Sequence, residues 1–312
     1  MRSKWKGCLT AALLLLMPAL VTACGGGTTA PAPPPAGPNS SLANLASNET
    51  FPMISAVMAA DLDINGLTSN VTSNVSTMSS ASTIEYDAIA NAFRLVINNA
   101  PASFAQTFGQ ADVVVANSDT SYRDYQVTRS DSTIDEFVLF IPAESTQNLS
   151  YVTYGVWNSQ HGSSQDIALG TIVFGVQTVD STMPTTGSAT YTGLTNGTLN
   201  LGNNLFNVGG DMSMTVNFGT GAVNGSFTNM AREDLVTGDI SAWRNFTTAG
   251  TISAGSNLFS GTAASTDSAL SGTFNGAFFG PVSSGSPPEI GGAWRLSGPG
   301  GELAVGGYVG KR

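Results

Sequence analysis

The sequence is poorest in the side chains that carry out chemistry. Its 312 residues include two cysteines and one histidine. Zinc and most transition-metal centres need several such ligands converging on one point, so a single histidine cannot build one. No nucleophile-elbow pattern and no glycine-rich phosphate loop occurs. Carboxylates are plentiful enough for a paired-carboxylate hydrolase, but none stands in a recognisable context. The chain therefore has no assigned catalytic residue, calls for no metal or cofactor, and reads as a non-enzyme.

Charge is scarce as well, at 10% of residues where about 25% is usual. The net charge is −10, and beyond residue 6 the basic residues form no cluster. Such a chain cannot neutralise phosphates, which excludes nucleic acid as a partner. Long apolar runs are also missing. The one candidate, Leu9 to Leu20, is short of the roughly 20 residues that a spanning helix needs. It follows Arg2, Lys4 and Lys6 and precedes Val21-Thr22-Ala23-Cys24, the three regions of an export signal. The last quartet is similar to a bacterial lipobox, so residues 1–23 are expected to be a lipoprotein signal peptide and Cys24 the lipid attachment site. The membrane is then a partner through that anchor. Cys8 would leave with the signal, so no disulfide could form in the mature chain. Eight basic residues would face 21 acidic ones, a balance of −13.

What the chain has in abundance is glycine, hydroxyl residues and alternation. Residues 24–41 hold the lipidated cysteine and a Gly/Pro tether, 17 residues beyond Cys24 that could span about 50 Å as polyproline. Residues 42–81, poor in charge and rich in Ser, Asn and Thr, are expected as a low-complexity strap. Within them Asp61-Leu62-Asp63-Ile64-Asn65-Gly66 matches half an EF-hand loop, but Thr72 stands where the bidentate Glu belongs, so a solvated turn is expected.

From 82 to 183 short β-branched and aromatic runs alternate with turn residues, which predicts a small antiparallel β handle domain. Its strands are expected at 93–97, 112–116, 122–128, 136–141, 151–157 and 170–176. From 184 to 312 period-two alternation is nearly continuous. Leu270, Gly272, Phe274, Gly276 and Phe278 share one face, as do Ile290, Gly292, Trp294 and Leu296. Large residues flanking glycine suit the tapering interior of a small closed barrel. The expected fold is all-β, the handle being followed by an eight-stranded antiparallel β-barrel. Strands of seven to nine residues and the glycines on the apolar face argue for a barrel in water rather than one spanning a membrane.

Several of these segments resemble a known family. MPTTGSATYTG from Met183, GTFNGAFFGP from Gly272, EIGG from Glu289 and the terminal GGYVGKR are similar to the barrel domain of transferrin-binding protein B and its relatives. YVTYGVW from Tyr151 is similar to a segment preceding that barrel in single-lobe members. The resemblance covers about residues 82–312, and its motifs are signatures of folding rather than of ligand binding. It implies a surface lipoprotein of the bacterial outer membrane that binds an external iron- or haem-related protein or solute. A TonB-dependent receptor and a Slam-type translocator are the implied partners. The sequence departs from transferrin-binding protein B itself in holding one lobe rather than two. A structural or adhesive surface lipoprotein and a direct haem binder are the alternatives.

Two places could carry binding. The stretch 230–246, the longest irregular one expected in the barrel, holds Arg232, Trp243 and Arg244, residue types enriched at binding hot spots. Trp243 and Phe246 could equally plug the barrel end. His161, in the loop after Trp157, could ligate haem if Tyr151, Tyr154 and Trp157 lined an apolar slot beside it, or it could simply be a solvated loop residue.

Overall fold

A computed structural model describes residues 39–312 apart from 142–146, 163–165 and 254. The expected signal peptide, Cys24 and nearly all of the tether lie outside the described residues. The described chain is all-β and folds as two nine-stranded antiparallel sheets.

The first sheet contains β1 (Glu49–Leu62), β2 (Thr68–Val75), β3 (Ser79–Asp87), β4 (Ala92–Asn99), β5 (Ala102–Phe108), β6 (Tyr122–Thr128), β7 (Ile134–Phe140), β8 (Val152–Gln160) and β9 (Ile167–Gly175). In space the order is β5-β4-β3-β1-β9-β8-β7-β6, with β2 paired to β1. This open, curled sheet wraps a core that includes Phe51, Val57, Phe108, Phe137, Trp157 and Phe174.

The expected strap is thus corrected: residues 42–81 supply β1, β2 and the start of β3. β1 is buried on both faces. Met53 and Val57 enter the handle core, while Ile54, Ala56 and Met58 pack towards the barrel. A strand covered on both sides loses its period-two signature, so the run hides as low complexity. Pro52 can donate no ladder hydrogen bond, and the register shifts between Pro52 and Met53. The strand expected at 112–116 is also corrected. Asp112 ends a single 3-10 turn, where its carboxylate accepts the Gly109 N–H at 2.8 Å, and only Val113 bridges to Tyr125. The β5 strand, not anticipated, carries Phe104 and Phe108 into the core.

The second sheet contains β10 (Ser188–Leu201), β11 (Asn204–Asn217), β12 (Ala222–Asp234), β13 (Ile240–Ala242), β14 (Phe246–Ile252), β15 (Leu258–Ser265), β16 (Ser271–Phe279), β17 (Glu289–Ser297) and β18 (Leu303–Lys311). The pairing of β11 with β12 closes eight of these into a barrel, and β13 is an extra short strand on β12. The segment 199–201 is the end of β10, not a separate element. β10 and β11 run 14 residues and β12 runs 13, longer than expected. Strand length therefore does not distinguish a water-facing barrel from a membrane one here; the faces do. Inside lie Tyr191, Met214, Phe227, Phe246, Phe274, Trp294 and Tyr308, with Phe227 and Phe246 stacked 4.2 Å apart. Outside, Thr192, Thr215, Asn224, Thr247, Thr262 and Thr273 are exposed, in place of the apolar belt a lipid-facing barrel needs. The glycines earn their place by close approach. A Cβ at Gly276 or Gly292 would stand within 2.5 Å of the Tyr308 hydroxyl, so the tyrosine ring fits only over bare backbone.

The two sheets share a third apolar cluster. Ile54, Met58, Val152, Tyr154 and Val173 of the handle meet Ala277, Phe279, Ala293, Val305 and Val309 on the barrel's outer face. Polar bonds pin the seam: Thr68 Oγ1 donates to Asn200 Oδ1 at 2.5 Å, and Arg295 Nε to Ser73 Oγ at 2.8 Å. Glu289 is buried there, and its carboxylate accepts the backbone N–H groups of Ser150, Tyr151 and Val152 at 2.7, 2.7 and 2.9 Å.

Candidate functional site

The residues of 230–246 do not form a loose loop. β12 continues through Asp234, a tight turn follows, and β13 returns along it, with Arg232 opposite Ser241. Beyond β13 the Trp243 N–H donates to the Met230 carbonyl at 2.8 Å, which turns the chain over the barrel mouth. This fold brings Arg232, Trp243 and Arg244 together on a recess of about 460 Å³, shared with Leu201, Asp267 and Glu302.

Each side chain there is held differently. Trp243 is 9% exposed and stacks 6.1 Å from Trp294, while its indole N–H donates to Glu302 Oε1 at 3.2 Å. It closes the barrel end and supports the recess from beneath. Phe246 is wholly buried in the barrel. Arg244 bridges two carboxylates, Asp267 and Glu302, the latter at 3.4 Å. The Ser265 hydroxyl, the Ala269 N–H and Arg244 together hold the Asp267 carboxyl below its usual range. Arg232 lies over the Phe206 ring at 4.9 Å and donates to Ser241 Oγ at 3.0 Å. Val236 and Ile240, on the adjoining hairpin, are 85% and 60% exposed. The rim thus offers two orientated guanidinium groups beside bare aliphatic side chains, a combination suited to gripping a protein surface. Asp267, Glu302 and Phe206 were not anticipated, because they come from distant turns and strands that only the closed barrel brings near. Val236 and Ile240 were readable as apolar residues in a polar turn.

His161 sits elsewhere, in the β8–β9 connection of the handle. It is exposed, its N–H donates to the Asp166 carbonyl, and Nδ1 lies 3.3 Å from Thr133 Oγ1. The aromatics proposed to flank it are dispersed. Trp157 stacks on Phe104 in the handle core, Tyr154 stacks 4.0 Å from Phe140 at the seam, and Tyr151 packs against the same seam. Those rings form no slot beside the imidazole. In the half EF-hand segment, Asp63 Oδ1 accepts the N–H groups of Asn65 and Leu67, while Thr72 lies in β2 opposite Ala59.

Comparison with known proteins places the barrel. Residues 183–311 match the family described as C-lobe and N-lobe beta barrels of Tf-binding protein B. That match spans the barrel and leaves the handle outside it. Among solved structures it is similar to a transferrin-binding protein B from Haemophilus parasuis at 14% identity, covering 89% of this chain and 76% of that one, with a TM-score of 0.44. HpuA from Kingella denitrificans, solved in complex with human haemoglobin, matches at 18% identity over 85% of this chain and 88% of that one, with a TM-score of 0.39. The N-lobe of lactoferrin-binding protein B from Moraxella bovis matches at 10% identity over 84% and 100%, with a TM-score of 0.35. No curated protein matches the chain.

Proposed function

We propose that this chain is a non-catalytic binding protein that holds an external iron- or haem-carrier protein at the barrel rim around Arg232 and Arg244. The observation that carries the reading is a family barrel whose interior is occupied by its own aromatic side chains, which directs binding to its outer surface. On that surface the rim hairpin combines orientated arginines with exposed Val236 and Ile240. The carrier class is supported by the family description, and the wider setting by the sequence. In that setting the chain is a lipoprotein anchored at Cys24, displayed on the outer membrane, and working beside a TonB-dependent receptor after export by a Slam-type translocator.

The test immobilises the non-acylated protein and passes purified transferrin, lactoferrin and haemoglobin over it. One of them is expected to bind saturably, and the double variant Arg232→Ala, Arg244→Ala to weaken that binding about tenfold or more. Absence of binding to all three would end the reading.

A further inference from the structure

The half EF-hand stretch forms the tip of the β1–β2 hairpin, and its last two residues carry a reactivity that the fold makes selective. An asparagine followed by glycine loses its amide readily, because no Cβ on the next residue screens that backbone nitrogen from the side-chain carbonyl carbon. The chain has four such pairs: Asn65-Gly66, Asn196-Gly197, Asn224-Gly225 and Asn275-Gly276.

Three of them lie in barrel strands bordered on both sides. Gly197 stands opposite Val208 and Gly306, Gly225 opposite Met214 and Thr248, and Gly276 opposite Phe259 and Gly292. A strand inside a closed sheet bonds its N–H groups to one neighbour or the other, so these nitrogens are engaged and their peptides cannot rotate. Space is lacking as well. A Cβ at those three glycines would strike the Val305 carbonyl, Thr248 Oγ1 and the Phe259 ring respectively. Gly66 is placed otherwise. Like Asn65 it is exposed, its φ is +78°, and a Cβ there would meet nothing within 4 Å. Its N–H makes one bond, to the Asp63 carbonyl at 2.9 Å. In a turn open to water a single hydrogen bond is a weak restraint.

We infer that Asn65 is a site of spontaneous deamidation, the one Asn-Gly pair of the four that the folded chain leaves free to react. The Gly66 nitrogen gives up its proton and attacks the Asn65 side-chain carbonyl carbon. The bond from that carbon to the amide nitrogen breaks, ammonia leaves, and a five-membered succinimide closes. Water then opens the ring at one carbonyl or the other, giving aspartate or isoaspartate. Either product puts a new carboxylate on a tip that already holds Asp61 and Asp63, and removes the Asn65 Nδ2 that donates to Asp63 Oδ2 at 3.4 Å. Like charges so close disfavour the tight turn. The Thr68 N–H joins this hairpin to the barrel by donating to the Asn203 carbonyl at 2.8 Å, in the turn that follows Leu201 of the rim recess. The added charge therefore falls at the proposed carrier-binding end, although the reaction does not depend on that reading.

Incubation of the folded protein at mildly alkaline pH, followed by digestion before aspartate and mass spectrometry, tests it. Conversion to aspartate opens a new cut before residue 65, whereas isoaspartate resists the cut and takes a methyl group from an isoaspartyl methyltransferase. Residue 65 is expected to convert at least about tenfold faster than residues 196, 224 and 275, because opening an exposed turn costs less than opening a ladder. In guanidinium the four pairs should react at similar rates. Asn65→Gln, a change in an exposed turn, should keep the wild-type circular dichroism spectrum and abolish the methyl label. An intact amide at residue 65 in folded protein whose unfolded chain reacts there would overturn the assignment. So would equal conversion of any ladder pair in the folded protein, or an undiminished label in Asn65→Gln.

Discussion

Trp294→Ala is expected to lower the stability of the protein by about 3–5 kcal/mol. The indole is wholly buried, packs 4.9 Å from Phe246, and stacks with Trp243 at the barrel mouth. Its ring occupies space that only glycine leaves open, since a Cβ at Gly306 would meet it at 2.5 Å. The indole N–H donates to Thr195 Oγ1 at 2.7 Å, and that hydroxyl donates onward to the Gly307 carbonyl at 2.8 Å. Alanine would open a cavity between three strands and remove the support beneath Trp243. The expected readout is a large drop in the denaturant midpoint with an unchanged slope. A loss below about 1 kcal/mol would mean that the interior is not packed as described.

Glu289→Gln is expected to cost about 1–3 kcal/mol and to uncouple the handle from the barrel. The carboxylate accepts three backbone N–H groups with its two oxygens, one on Ser150 and one shared by Tyr151 and Val152. An amide offers a single oxygen and turns an NH₂ towards at least one buried donor. Because these bonds join β17 to the entry of β8, the variant's two units should no longer unfold in one transition.

The pH dependence has a definite sign. Burial raises the Glu289 carboxyl above its ordinary value and outweighs the N–H donors and Lys311, which pull it down. The folded protein then holds this proton more tightly than the unfolded chain does. Its contribution to stability is greatest below the unfolded carboxyl value of about 4.3 and declines as pH rises through the raised folded value. Glu289→Gln should remove that slope. A variant whose stability follows the wild-type pH profile would contradict the assignment.

The barrel was legible because one face of each strand meets side chains and the other meets water. Phe274, Phe278, Trp294 and Leu296 therefore announce their face through spacing alone. β1 was not legible, since Met53 to Ala60 is covered on both sides and shows no alternation. The β12–β13 hairpin was hidden for another reason: β13 is only three residues long and wholly exposed, too short to show an alternating pattern. At the rim, Arg232, Trp243 and Arg244 could be named from residue type and loop position. Their partners Glu302 and Asp267 could not, because closure of the barrel, not sequence proximity, brings them there. His161 was readable only as a lone imidazole. Its proposed aromatic neighbours are drawn into the handle core and the seam instead.

Hydrogen exchange, with and without saturating carrier protein, tests the account most directly. Binding on the outside of a filled barrel predicts slowed exchange in residues 230–245 and around Asp267 and Glu302, with the strands β14 to β18 unchanged. Protection confined to those strands or to the handle turn at His161, with the rim exchanging freely, would contradict it.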